Sequence, residues 1–314
     1  MLLRIKKKHV FEALIISMVA DLLCACAKAP AEGYPLTRVS VIMPHSNDSY
    51  WDIVAGGIKA AYEELGASYN IDISILTPQL NYSTEQMTDI LKQQIAAKVD
   101  VIVLQGNEDE KLKTVLNTAY EEGITIICMD TDEEDFPKHT YIGTDNYSAG
   151  RLLGEKILEF VRTNGAGKVK VISGEEHYSN MQLRLKGLTD VLTDEGIEIS
   201  DVVYDHYDGL TVMKEYEAPT EADILVCLEG TGLQTLAKMN DSHGDKYRYI
   251  IGFDADDSLI NNAADGVVIQ DMEGIGRKVV EEIVRQVKSG RKEEVSIYTD
   301  VQWVTQPVKR ERNT

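Results

Sequence analysis

Side chains able to hydrogen bond, carry charge or present a flat ring recur in this sequence at one kind of place, the end of a short apolar run. Asp48, Tyr50 and Trp51 follow VSVIMP, Asn107 follows DVIVLQG, and Asp130 ends TIICMD. Asn180 and Arg184 come after KVKVISG, Glu229 lies in DILVCLEG, Asp254 ends YRYIIGFD, and Gln270 lies in GVVIQDM. Rings that cover the apolar C–H face of a polyol, beside carboxylates and amides that exchange hydrogen bonds with its hydroxyls, are what a sugar-sized site requires. Taken singly, an Asp in such a place can equally cap the next helix. Tyr50 and Trp51 can equally be a hydrophobic staple at a helix start, and Arg184, within RLKGLTDVL, can lie on a solvated helix face. Together they describe one polar, ring-lined edge.

The motifs of catalysis are missing. A dinucleotide fingerprint needs GxGxxG between the first strand and helix, where this chain reads PHSNDSYW. NGAGKV, EGTGLQ and EGIGRK lack the third glycine, and no GxxxxGK[ST], GxSxG or HExxH occurs. His45, His139, His177 and His206 are scattered without metal-ligand spacing, and no CxxC pair is present, so the sequence suggests neither metal nor cofactor. Cys128 and Cys227 sit inside apolar runs and are expected as free, buried core residues.

The edge must be positioned by the runs that precede it. Stretches rich in Val, Ile and Leu start at 38, 71, 100, 125 and 140, then again at 168, 199, 223, 248 and 266. Amphipathic segments such as TEQMTDILKQQIAAK, KLKTVLNTAYEEG and AGRLLGEKILEFVR alternate with them. Alternating βα units build parallel sheets, and two successive series predict an α/β protein of two doubly wound lobes. RKVVEEIVRQVKSG and VSIYTDVQWVTQ come after the second series is complete, so the chain must cross between lobes more than once. Such a hinge places a cleft at the carboxyl ends of the strands, where the polar residues collect. The expected division is 37–143 plus 272–293 for the first lobe and 144–271 plus 294–306 for the second.

At 314 residues, the chain has the length of about two domains. An apolar fraction of 43% with 27% charged residues is that of a globular protein. The net charge of −20 repels phosphate backbones and anionic lipid surfaces, which sets aside nucleic acid as a partner. The first 26 residues differ in kind. Arg4, Lys6, Lys7 and Lys8 precede an apolar stretch from Val10 to Ala25, the order of a secretory signal, and Glu12 and Asp21 weaken a membrane-span reading. The stretch closes with LCAC, Leu23 to Cys26, which resembles a bacterial lipobox and implies cleavage before Cys26 and lipidation of its sulfur. Cleavage of an ordinary signal near Ala27 or Ala29 is the alternative.

The succession VSVIMPHSNDSYW, DVIVLQGNED, IICMD, YIGTDNYSAGRLLG, NMQLRLKGL, IIGFDADD and VVIQDMEGIG resembles the type I periplasmic binding proteins of the ribose and galactose group. The resemblance covers about residues 37–306, and its most specific pieces are GTDN with Gly150, GFD, and QDM ahead of Glu273 and Gly276. It implies a receptor that closes on a sugar and delivers it, as a monomer, to an ABC permease in the membrane; a sensory receptor of the same fold, signalling to a kinase or chemoreceptor, is the alternative. It also implies sugar contacts from Asp48, Tyr50 and Trp51, with the last two as the aromatic pair, and from Asp130, Arg184, Asp254 and Gln270. Thr131 stands where the ribose group often has Arg, and Glu229-Gly230 where Asn-Asp is usual. The pocket is therefore expected to be more acidic than a ribose site and suited to a neutral or amino-bearing sugar or polyol.

Overall fold

The computed structural model describes residues 33–46, 49–136, 138–165, 167–243, 246–254 and 264–305, so the signal-like segment, Cys26 and Asp48 lie outside the described residues. The first series forms β1 (Thr37–Ile42), α1 (Ser49–Glu64), β2 (Ile71–Leu76), α2 (Thr84–Ala96), β3 (Val101–Leu104), α3 (Glu110–Glu121), β4 (Thr125–Met129) and β5 (Thr140–Thr144). The second forms α4 (Asn146–Asn164), β6 (Lys168–Ser173), α5 (Ser179–Asp194), β7 (Glu198–Tyr204), α6 (Gly209–Glu217), β8 (Ile224–Cys227), α7 (Gly230–His243), β9 (Tyr249–Phe253) and β10 (Gly266–Gln270). The chain ends with α8 (Met272–Ser289), β11 (Ser296–Thr299) and β12 (Val301–Thr305).

Strands such as VIVL and ILVC are buried at every residue because helices cover both faces of their sheets, the condition that turns alternating patterns into continuous apolar runs. The sheets have matching orders, β11-β5-β4-β3-β1-β2 and β12-β10-β9-β8-β6-β7. Pairing is parallel throughout the first, whereas β12 runs antiparallel to β10 at the edge of the second. In the first lobe, Val41, Ile58 and Val280 fill one face and Leu91, Leu112 and Leu116 the other. In the second lobe, Val171, Leu188 and Phe253 pack on one face and Leu225, Leu233 and Leu236 on the other. The Asp residues that precede several helices do cap them: Asp109 accepts from the amides of Lys111 and Leu112, and Asp208 from those of Leu210 and Thr211.

One assignment is corrected. The stretch 294–306, expected whole in the second lobe, is divided: Ser296–Thr299 extends the first sheet beside β5, and Val301–Thr305 extends the second beside β10. Period-2 patterning made the two short strands read as one, and only Asp300 separates them. The chain thus crosses between sheets around 145, 271 and 300. Thr144 Oγ1 donates to Gln270 Oε1 at 2.7 Å, tying the first crossover to the second. The Asp271 amide donates to the Asp300 carbonyl at 3.2 Å, tying the second to the third. Cys128 and Cys227 are free and buried, one in each lobe.

Candidate functional site

A cavity of about 140 Å³ lies between the lobes at the carboxyl ends of the strands. In strand orders of this kind, the crevice forms where successive connections leave to opposite sides, here between β1 and β3 in one lobe and β6 and β8 in the other. Of the residues singled out from the sequence, Tyr50, Trp51, Asp130, Asn180, Arg184, Glu229, Asp254 and Gln270 line the cavity.

Asp130 is the first lobe's central acceptor. The Tyr50 hydroxyl donates to its Oδ1, while Oδ2 accepts from Gln105 Nε2 at 3.0 Å, from Thr131 Oγ1 at 2.9 Å and, across the cleft, from Asn180 Nδ2 at 3.4 Å. Burial first and the Asp130 charge second push the Tyr50 phenol well above its ordinary pKa, so it stays a hydroxyl donor. Thr131, buried completely, supports Asp130 from behind and does not line the cavity.

Asp254 is its counterpart in the second lobe, at the end of β9 as Asp130 is at the end of β4. Both adopt positive φ, 67° for Asp130 and 50° for Asp254, a conformation that costs energy outside glycine and clusters at functional sites. Asp254 accepts from the Gln270 amide at 3.1 Å and from Gln270 Nε2 at 2.6 Å. Burial raises its pKa, opposed by the nearby Arg184 charge.

Arg184 is 1% exposed, not solvated. Its Nε donates to Asn146 Oδ1 at 2.8 Å, its Nη1 to the Leu228 carbonyl at 2.8 Å, and the guanidinium lies 4.3 Å over the Phe253 ring. Nη2 is buried with no partner among the described residues, and Arg184 lines the cavity. Gly150 makes that placement possible, since a Cβ there would lie 2.2 Å from the Arg184 carbonyl oxygen. The motif glycine lets α4 approach the backbone that carries the arginine.

Glu229 caps α7, accepting from the amide of Thr231 at 2.5 Å and from that of Gly232. Asp205, from the loop after β7, stands beside it: a Cβ on Gly232 would lie 2.7 Å from Glu229 Oε1 and 3.3 Å from Asp205 Oδ2. Burial and then the Asp205 charge push the Glu229 carboxyl up to about 8, and burial pushes Asp205 up to about 6.

Two expectations change. Trp51 is 3% exposed and packs in the first lobe's core with Val54 and Ile58, with Nε1 3.4 Å from the Tyr82 hydroxyl; Ser49, Tyr50 and Trp51 belong to the first turn of α1 and not to a loop. Asn107 lies away from the cavity, where its amide binds Glu133 Oε1 at 2.6 Å and its Nδ2 binds Thr84 Oγ1 at 3.0 Å. The sequence reading missed Tyr82 and Tyr207, which stack at 4.7 Å and 14° across the cleft and line the cavity. Each follows the edge strand of its lobe within a turn-rich stretch, LNYS and DHYD, and that loop chemistry was the available signal.

Matching α/β lobes, three crossovers and an interlobe cavity define a two-lobed binding protein of the type I periplasmic fold. The chain belongs to the periplasmic binding protein domain family, whose model matches residues 39–292. It is 22% identical to the ribose import binding protein RbsB of Bacillus subtilis (strain 168) over 258 residues, 79% of this chain and 82% of that protein. GanP, a glucose-galactose binding protein from Geobacillus stearothermophilus, superposes with a TM-score of 0.77 at 25% identity, over 86% of this chain and 98% of that one. An ABC transporter solute binding protein from Burkholderia graminis C4D1M, solved with D-arabinose, gives the same TM-score of 0.77 at 21% identity, over 89% and 97%.

Proposed function

We propose that the chain is an extracytoplasmic receptor that captures a sugar or sugar-like polyol between its lobes and presents the closed form to an ABC importer permease. The observation that carries this reading is the interlobe cavity itself. It is small, walled by a stacked tyrosine pair and by Tyr50, and furnished with acceptors at Asp130 and Asp254 and with the free Arg184 Nη2 donor. Hydroxyls both donate and accept, so such a wall suits a polyol better than an apolar or highly charged molecule. Groups from both lobes converge on one volume, which makes closure favourable only when both are contacted. Relatives that bind ribose, glucose, galactose or D-arabinose support the same class of ligand. The basic and apolar leader ending in LCAC supports export and a lipid anchor at Cys26. No residue of this cavity is assigned to chemistry; the reading is of binding alone, by a monomer.

The test is calorimetric titration of a chain beginning at Ala27 with pentoses, hexoses, amino sugars and polyols, beside an Asp130→Asn variant. Micromolar or tighter binding of one sugar, weakened at least tenfold by the substitution, supports the reading. No heat from any sugar with folded protein would overturn it in favour of a non-sugar ligand.

A further inference from the structure

Outside the cleft, the fold brings together three ligating side chains that sequence spacing had left apart. Cys128 lies in β4, Asp132 in the loop that follows and His139 just before β5; the sulfur, a carboxylate oxygen and an imidazole nitrogen all lie within 4.8 Å of one another. We infer that Cys128, Asp132 and His139 form a binding site for a borderline-soft divalent cation, with Zn²⁺ the ion that a thiolate, imidazole and carboxylate set selects.

The cluster is organised as metal ligands are. His139 Nδ1 contacts the Phe136 carbonyl, which can only accept, so Nδ1 carries a hydrogen and Nε2 is the nitrogen turned toward Asp132 Oδ1, at 2.5 Å. A histidine whose second nitrogen donates to a backbone carbonyl is oriented as metal-bound imidazoles are. The ring is also stacked on Phe136, with centroids 6.0 Å apart and planes 14° from parallel. Burial first, then the Glu133 and Asp132 charges, push the Cys128 thiol well up, so it meets an ion as a thiol that must give up its proton. Glu133 Oε2 is buried close by without a partner among the described residues, and burial pushes its carboxyl up to about 7.

A tetrahedral ion held at about 2.0–2.3 Å needs its ligand atoms roughly 3.5 Å apart. The His139–Asp132 contact must therefore open by about 1 Å, and the sulfur needs only a shift of the same order. Asp132 keeps 23% side-chain exposure, which gives an ion a route in and leaves room for water as fourth ligand. The ion displaces the thiol proton and the proton between Nε2 and Asp132, so binding releases protons and strengthens with pH. A thiolate and a carboxylate then balance the divalent charge.

The loop so clipped matters to the cleft. Asp130 is two residues from Asp132, and the Asp132 carbonyl accepts from Ser179 Oγ of the opposite lobe at 3.0 Å.

The test is titration of chelator-treated protein with Co²⁺, read by absorbance, followed by displacement with Zn²⁺. One equivalent, with a thiolate-to-Co²⁺ charge-transfer band and the visible bands of a four-coordinate ion, is expected. The charge-transfer band should vanish in Cys128→Ser and persist in Cys227→Ser, and Asp132→Asn, at a partly exposed position, should weaken affinity at least tenfold. The proposal is overturned if the folded protein shows no such band, if the band survives in Cys128→Ser, or if Asp132→Asn leaves affinity unchanged.

Discussion

Tyr82 and Tyr207 stack across the cleft, with centroids 4.7 Å apart and planes 14° from parallel, from matching positions after the edge strands of the two lobes. Both have φ of 57°, so each loop holds its ring in a backbone state unusual for tyrosine. Among the described residues, this is the aromatic contact that spans the cleft at its closest approach.

Because the stack joins the two lobes, it stabilises closure, in addition to the contacts that Tyr82 makes with His45 and Tyr207 with Tyr178 in their own lobes. Aromatic pairs contribute about 0.5–1.5 kcal/mol beyond their area. Tyr207→Ala is expected to weaken solute binding roughly 3- to 10-fold, chiefly through faster release. Tyr82→Ala with Tyr207→Ala should cost less than the sum of the two. Stopped-flow release rates and a double-mutant cycle by calorimetry check this; full additivity would show that the stack does not act as a unit.

Arg184 spends its fork on separate partners, Asn146, the Leu228 carbonyl and the Phe253 face, leaving Nη2 with no partner among the described residues. Lysine keeps the charge but cannot satisfy that geometry. Arg184→Lys should therefore weaken solute binding about 10- to 100-fold, or about 1.4–2.8 kcal/mol. Calorimetry, with circular dichroism to verify folding, distinguishes this from wholesale loss of structure.

Gly150 and Gly56 lie in helices, yet a Cβ at Gly150 would strike the Arg184 carbonyl at 2.2 Å, and one at Gly56 would meet nothing within 4 Å. Gly150→Ala should destabilise by about 1–3 kcal/mol, as overpacking does, and weaken solute binding because α5 is pushed back with its arginine. Gly56→Ala should stabilise by about 0.5–1 kcal/mol. Paired thermal melts settle both directions.

The sheet layout was legible because fully buried parallel strands leave continuous apolar runs, and strand ends mark the cleft whatever the details of the loops. Side-chain direction was not legible. Tyr50 and Trp51 meet edge-on at 5.2 Å and both line the cavity, but Tyr50 reaches Asp130 while Trp51 also packs in the core. Trp51→Ala would thus cost stability on the scale of about 3–5 kcal/mol as well as removing part of the cavity wall, so folding must be verified beside binding. Asn107 shares a strand end with Gln105, but Glu133, 26 residues on, holds its amide away from the cavity. Tyr82 and Tyr207 could not be paired from sequence, since their contact exists only with the lobes together.

The buried acid pair gives a pH signature. Folded pKa values of about 8 for Glu229 and about 6 for Asp205 lie above the ordinary carboxylate range, so the folded protein holds protons that the unfolded chain has released. Stability from this pair is complete below the ordinary Asp value of 3.8 and is lost as pH rises toward 8. Asp205→Asn replaces the like charge with an amide that can donate to Glu229, while its remaining oxygen still accepts from the Tyr207 amide as Asp205 Oδ1 does at 2.9 Å. The variant should therefore melt at about 2–4 °C higher than the parent at pH 8, a gain of about 1 kcal/mol, and differ little at pH 4.5. Melting curves across pH 4.5–8.5 would show parallel slopes for the two proteins if the pair does not repel, and that result would return Glu229 to the role of a simple helix cap.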